Sequence, residues 1–76
     1  MDNKHSEKFL ALALNTTLYR RKKGLTQEQL AELVGISRTH MSNIEAVNVK
    51  KSLSIEVLFS IMDALEVTYD MLFEPR

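Results

Sequence analysis

The side chains best equipped for chemistry in this sequence are hydrogen-bond donors rather than nucleophiles: Arg38, Thr39, Ser42 and Asn43, close together in the chain. A guanidinium can bridge two acceptors at once, as guanine O6 and N7 present them. A carboxamide can bind adenine in the same two-point fashion or hold a phosphate, and a threonine offers both a hydroxyl and a methyl. Met41 and Ile44 are spaced i, i+3 among these donors, so a helix here would bury that pair and leave the polar four outside. Covalent chemistry has no support. There is no glycine-rich phosphate loop, nucleophile motif or paired acid/base spacing. There is no cysteine, and His5 and His40, the two histidines, lack the clustered carboxylates that metal-ligand spacing requires. The sequence excludes an enzyme and implies neither a metal nor a cofactor.

The segment Leu25–Glu45, LTQEQLAELVGISRTHMSNIE, must position those donors. It reads as two short helices joined by a tight turn at Gly35. Thr26 caps the first of them, and Gln29 three positions on completes a capping box, with Leu30, Leu33 and Val34 facing inward. Ile36 turns into the core and Ser37 caps the next helix. Two short helices with polar groups on the second are how a protein presents hydrogen-bonding groups to the major groove of DNA.

The flanking elements also read as helices. Ser6 can cap a first helix running to about Lys23, with Phe9, Leu12, Ala13, Thr16 and Tyr19 as its buried stripe. Basic residues end it, where they complement the macrodipole, and Gly24 supplies a left-handed stop. Leu10, Leu14 and Leu18 make a second apolar stripe, either covered by later helices or part of an interface. Ala46–Lys51 is a loop. Ser52 or Ser54 begins a fourth helix with Val57, Leu58, Ile61, Met62 and Leu65 inward, Thr68 caps a short fifth, and Pro75 ends regular structure. No strand-like alternation and no repeat appears. The expectation is an all-α chain: five helices in one domain over residues 1–76, with its core at about 8–73.

At 76 residues and 45% apolar content the chain is too hydrophobic for disorder and large enough for one compact domain. A domain this small buries only about 60% of its unfolded surface, so a second subunit would help it. Its longest apolar run is far short of the roughly 20 residues that span a bilayer, and its start reads as no secretory signal. A soluble, cytoplasmic protein is expected. The formal net charge is zero, but the charge is polarised. Residues 20–51 carry Arg20, Arg21, Lys22, Lys23, Arg38, Lys50 and Lys51 against Glu28, Glu32 and Glu45. Residues 52–76 carry only Arg76 against Glu56, Asp63, Glu66, Asp70 and Glu74. One part can approach phosphates while the other stays away.

Gly24-Leu25-Thr26-Gln27-Glu28-Gln29-Leu30-Ala31, then Gly35-Ile36-Ser37-Arg38-Thr39 and Ile44-Glu45, resemble the helix-turn-helix domain of phage repressors and Cro. Ile61, Ala64-Leu65, Val67 and Leu72-Phe73 are similar to that family's fourth and fifth helices, so the likeness spans roughly residues 8–73. Arg38-Thr39, a ring residue and Met41-Ser42 further resemble controller proteins of restriction–modification systems, small homodimeric regulators of gene expression. Two positions depart from the pattern. The family usually has a glycine where Ala46 stands, and commonly a proline where Lys51 stands.

The resemblance implies a lambda-repressor-like, DNA-binding transcriptional regulator, a homodimer on a pseudo-palindromic operator. The alternative is a protein-interaction or antitoxin-like module on the same fold. It implies base contact from Arg38 and Thr39, with Ser42 and Asn43 one turn on, where Asn43 reads a base or holds a phosphate. Ser37 caps its helix in either case and is a further contact candidate. His40 lies beside the DNA backbone or packs at the helix edge. Gln27 corresponds to a family residue that grips a phosphate, assisted by backbone N–H groups at its helix start. Arg20 and Glu45 correspond to a family ion pair tying the recognition helix to the first helix. Lys50 and Lys51 are expected to reach phosphates from the loop, while Arg21, Lys22 and Lys23 fit either phosphate contact or a solvated surface. Met71, Leu72 and Phe73 are the dimer candidates.

Overall fold

The computed structural model describes residues 5–47 and 52–76. Five helices follow in chain order: α1 (Ser6–Lys22), α2 (Gln27–Val34), α3 (Arg38–Glu45), α4 (Ile55–Leu65) and α5 (Tyr69–Leu72). Among the described residues there is no strand.

Local chemistry sets most of the boundaries. Thr26 accepts from the Gln29 N–H at 3.0 Å while the Gln29 carboxamide accepts from the Thr26 N–H at 2.9 Å, a complete capping box. Ser37, Ser54 and Thr68 each accept from the N–H three residues on, so Ser54 rather than Ser52 starts α4. Gly24 and Gly35 take φ of +72° and +86°, the left-handed region that closes α1 and turns the chain between α2 and α3. Glu66 ends α4 in the same region at φ +57°, where a side chain is uncommon. Ser6 is not a cap. The His5 carbonyl already accepts from the Lys8 and Phe9 N–H groups, so helical bonding begins one residue earlier and Ser6 is the first helical residue.

The core is Leu12, Leu30, Ala31, Met41, Ile44, Ile61, Leu65, Val67 and Leu72, with Tyr19, Val34, Ile36 and Leu58 packed against it. α2 packs on both α3 and α4, and α1 backs α3, α4 and α5. Ala11 and Ala13 are fully covered on α1. Leu33 departs from expectation: it is 63% exposed. The inward arc of α2 is Leu30, Ala31 and Val34, and at 100° per residue Leu33 falls on the opposite side of Leu30 from Ala31. Leu72 also departs, with no exposure at all. It fills the monomer's own core, so its side chain cannot face a second subunit.

One polar contact closes the fold. Asn15 on α1 is fully buried, and its Nδ2 donates to the carbonyls of Leu72 and Glu74, both at 2.8 Å, while its Oδ1 accepts from Arg76 Nε. This carboxamide ties α5 and the residues after it to α1. The departure of Ala46 from a family glycine has a simple reason. Its φ of −77° and ψ of 132° are extended backbone that any residue adopts. Lys50 and Lys51 lie outside the described residues.

Candidate nucleic-acid interface

Ser37 sits in extended backbone, and its Oγ accepts from the His40 N–H at 3.0 Å, satisfying one orphan donor at the start of α3. Met41 and Ile44 are buried to within 1% and fix which way the helix faces. Arg38, Thr39 and Asn43 are exposed on the other side, and Ser42 is half-buried at its edge. The four donors named from sequence are therefore brought onto one helix, three of them exposed.

His40 is half-buried, with Nε2 at 3.2 Å from the Ser52 carbonyl, so it links α3 to the residues entering α4.

The base of α3 is held by a charge cluster. Arg20 Nε donates to Glu45 Oε2 at 2.8 Å and Nη2 to Oε1 at 3.0 Å, while Nη1 donates to the Leu25 carbonyl at 2.7 Å. Both residues are 8% exposed, so this two-point pair is shielded from solvent. Thr17 Oγ1 donates to Glu45 Oε1 at 2.9 Å, and Gln27 Nε2 does so at 3.1 Å. One carboxylate thus joins α1, the first residue of α2 and the last residue of α3.

Beside this cluster runs an open groove of about 470 Å³, walled by Leu14, Leu18 and Val47, with Arg21 and Gln27 along it. Lys22 and Lys23 turn elsewhere. Lys22 Nζ lies 5.5 Å from the Tyr19 ring centroid, and Lys23 pairs with Glu66. Arg21 is the member of that basic run that lines the groove with Gln27. No three His, Cys, Asp or Glu side chains gather as a metal site among the described residues.

Thr17 and Asn15 were not legible as site or framework residues in the sequence. Thr17 lies three positions before Arg20, one turn along the same helix, and that spacing beside a paired arginine is the signal that could have found it.

An exposed polar helix, set by a tight glycine turn against a second short helix, with α1 behind the one and α4 behind the other, is the lambda-repressor-like arrangement. A helix-turn-helix family profile matches residues 17–72, and the chain belongs to that family of DNA-binding, non-enzymatic transcription regulators. No curated protein sequence matches it. Among solved structures it is similar to the restriction-modification controller protein C.AhdI from Aeromonas hydrophila, at 26% identity and a TM-score of 0.75, covering 86% of this chain and 96% of that one. It is also similar to a hypothetical transcription factor, NHTF, from Neisseria, at 28% identity and a TM-score of 0.80, covering 99% and 83%. The clp gene regulator ClgR from Corynebacterium glutamicum shares 32% identity at a TM-score of 0.73, over 84% of this chain and 67% of that one.

Proposed function

We propose that this protein binds a pseudo-palindromic operator as a homodimer and regulates transcription from it, in one domain formed by residues 1–76. The observation that carries this reading is the exposed face of α3, where Arg38, Thr39 and Asn43 stand above fully buried Met41 and Ile44. Each subunit lays α3 in the major groove, with half-sites about one helical turn (roughly 34 Å) apart. Arg38, Thr39 and Asn43 set sequence choice, with Ser42 and Ser37 at the margin. Gln27, the N–H groups at the start of α2, and Lys50 and Lys51 set register on the phosphates. Likeness to the Aeromonas hydrophila controller protein supports restriction–modification genes as the target. Among the described residues no helix is long and apolar enough to cross a membrane.

For the homodimer, α4 offers more than the chain's end. Ile55 and Phe59, spaced i, i+4, are 66% and 54% exposed, and Tyr69 and Met71 on α5 are exposed as well, while Phe73 is half-buried against the core. A small domain rarely leaves such side chains in water without a partner. Phe59→Asp is expected to turn a dimer into a monomer by light scattering while the helical circular dichroism is kept.

Selection of bound sites from a random DNA pool tests the function itself. A two-fold symmetric motif is the expected result, and a pool that never enriches rejects the reading. A second reading, a partner-binding module, draws on the apolar groove walls and on exposed Leu10 and Leu33. Absence of any shift with mixed genomic DNA at low salt and roughly tens of micromolar protein would favour it.

A further inference from the structure

Glu45 Oε1 is the meeting point of three donors: Thr17 Oγ1, Arg20 Nη2 and Gln27 Nε2, at 2.9, 3.0 and 3.1 Å. A carboxylate only accepts, so the Gln27 carboxamide must turn its nitrogen inward and is not free to flip. Thr17 has one proton to give. The Ala13 carbonyl, at 3.1 Å, is neutral, whereas the carboxylate is charged and closer, so the proton goes to Glu45. The carboxylate is thereby fixed from α1 on two sides, and it fixes Gln27 in turn.

The Gln27 nitrogen carries two N–H groups, and only one is used on Glu45. The residue is half-buried and opens onto the groove beside Arg21. We propose that Gln27 is a bridge: one N–H stays on Glu45 while the second binds a DNA backbone phosphate. Glu45 is then a positioning residue for DNA binding, though it touches no DNA. This rests on the operator-binding reading above and adds to it a mechanical link. The phosphate anchor at the start of α2 and the end of α3 share one carboxylate, so register on the backbone and depth in the groove are set together.

A double-mutant cycle on the full chain, titrated by anisotropy against a duplex taken from the selected pool, tests the bridge. Gln27→Ala is expected to weaken binding about tenfold in the wild-type background and less than about twofold in a Glu45→Leu background, which has no acceptor to aim residue 27. An equal loss in both backgrounds overturns the proposal. Because Glu45→Leu can impair folding, the side-chain amide protons of Gln27 in the wild-type protein give an independent reading by NMR. One proton is expected to exchange slowly in the free protein and to remain so with duplex bound, while the other shifts. Loss of that protection on adding duplex, or no shift in either proton, overturns the bridge. The wild-type titration reads operator binding by itself. If it shows none, the functional reading falls and the bridge with it; if it binds and the cycle shows no coupling, the bridge alone falls.

Discussion

Arg20 and Glu45, 25 positions apart, meet through two hydrogen bonds of 2.8 and 3.0 Å, and both side chains are buried. Such a pair contributes little over a well-packed apolar replacement, but losing one member strands the other charge. Arg20→Met is therefore expected to destabilise the domain by about 3–5 kcal/mol, and urea denaturation measures it. A loss below about 1 kcal/mol would mean that solvent reaches the carboxylate freely.

Arg38 stands on the exposed face of α3. On the operator-binding reading, Arg38→Ala is expected to cost about 1–3 kcal/mol in affinity and to relax preference at one base pair. Lys50→Ala should instead weaken all sequences alike and lower the salt slope by about one. Titrations of matched and single-mismatch duplexes at several salt concentrations separate the two. If Arg38→Ala leaves affinity and preference unchanged, the register of α3 in the groove is wrong.

Thr16 is fully buried, and its hydroxyl has no hydrogen-bond partner among the described residues. Valine matches its shape without the stranded polar atom. Thr16→Val is expected to raise stability by about 1 kcal/mol, read as a higher urea midpoint at unchanged slope. A fall in midpoint would show that the hydroxyl is satisfied.

Lys23 donates to the Glu66 carboxylate and attracts it, and together these hold the Glu66 carboxyl below its ordinary value against a small opposing effect of desolvation. A carboxylate whose folded pKa is lowered stabilises the protein above its unfolded value and loses that contribution as pH falls through the folded one. Glu66→Gln should thus melt below wild type at neutral pH. The gap should close in acid, and added salt should shrink it because the pair is exposed. A gap independent of pH would assign the effect to the backbone of residue 66 instead.

What could be read from sequence was local in origin. Thr26 with Gln29, Ser37, and the glycines at 24 and 35 each act within a turn of themselves, and all four behave as their types and spacing imply. Met41 and Ile44 oriented α3 for the same reason. Arg20 and Glu45 came from family resemblance rather than periodicity, since no helical spacing joins residues that far apart. Long-range contacts were not legible. The Thr17 hydroxyl finds its acceptor 28 positions away, and the Asn15 carboxamide finds its own 57 and 59 positions away. Leu33 and Leu72 were misplaced because an apolar residue on a short helix can face either way. Packing of α2 on α4 and of α5 on α1 decides the matter, and neither leaves a mark in a window of a few residues.

The acceptors for Asn15 have a temporal consequence. A buried amide cannot settle without partners, and these two carbonyls belong to residues 72 and 74. During synthesis α1 lacks these partners until residues 72 and 74 have left the ribosome. A nascent fragment carrying α2 and α3 without residues 72–74 would therefore lack this tie to α1 and should be protease-sensitive.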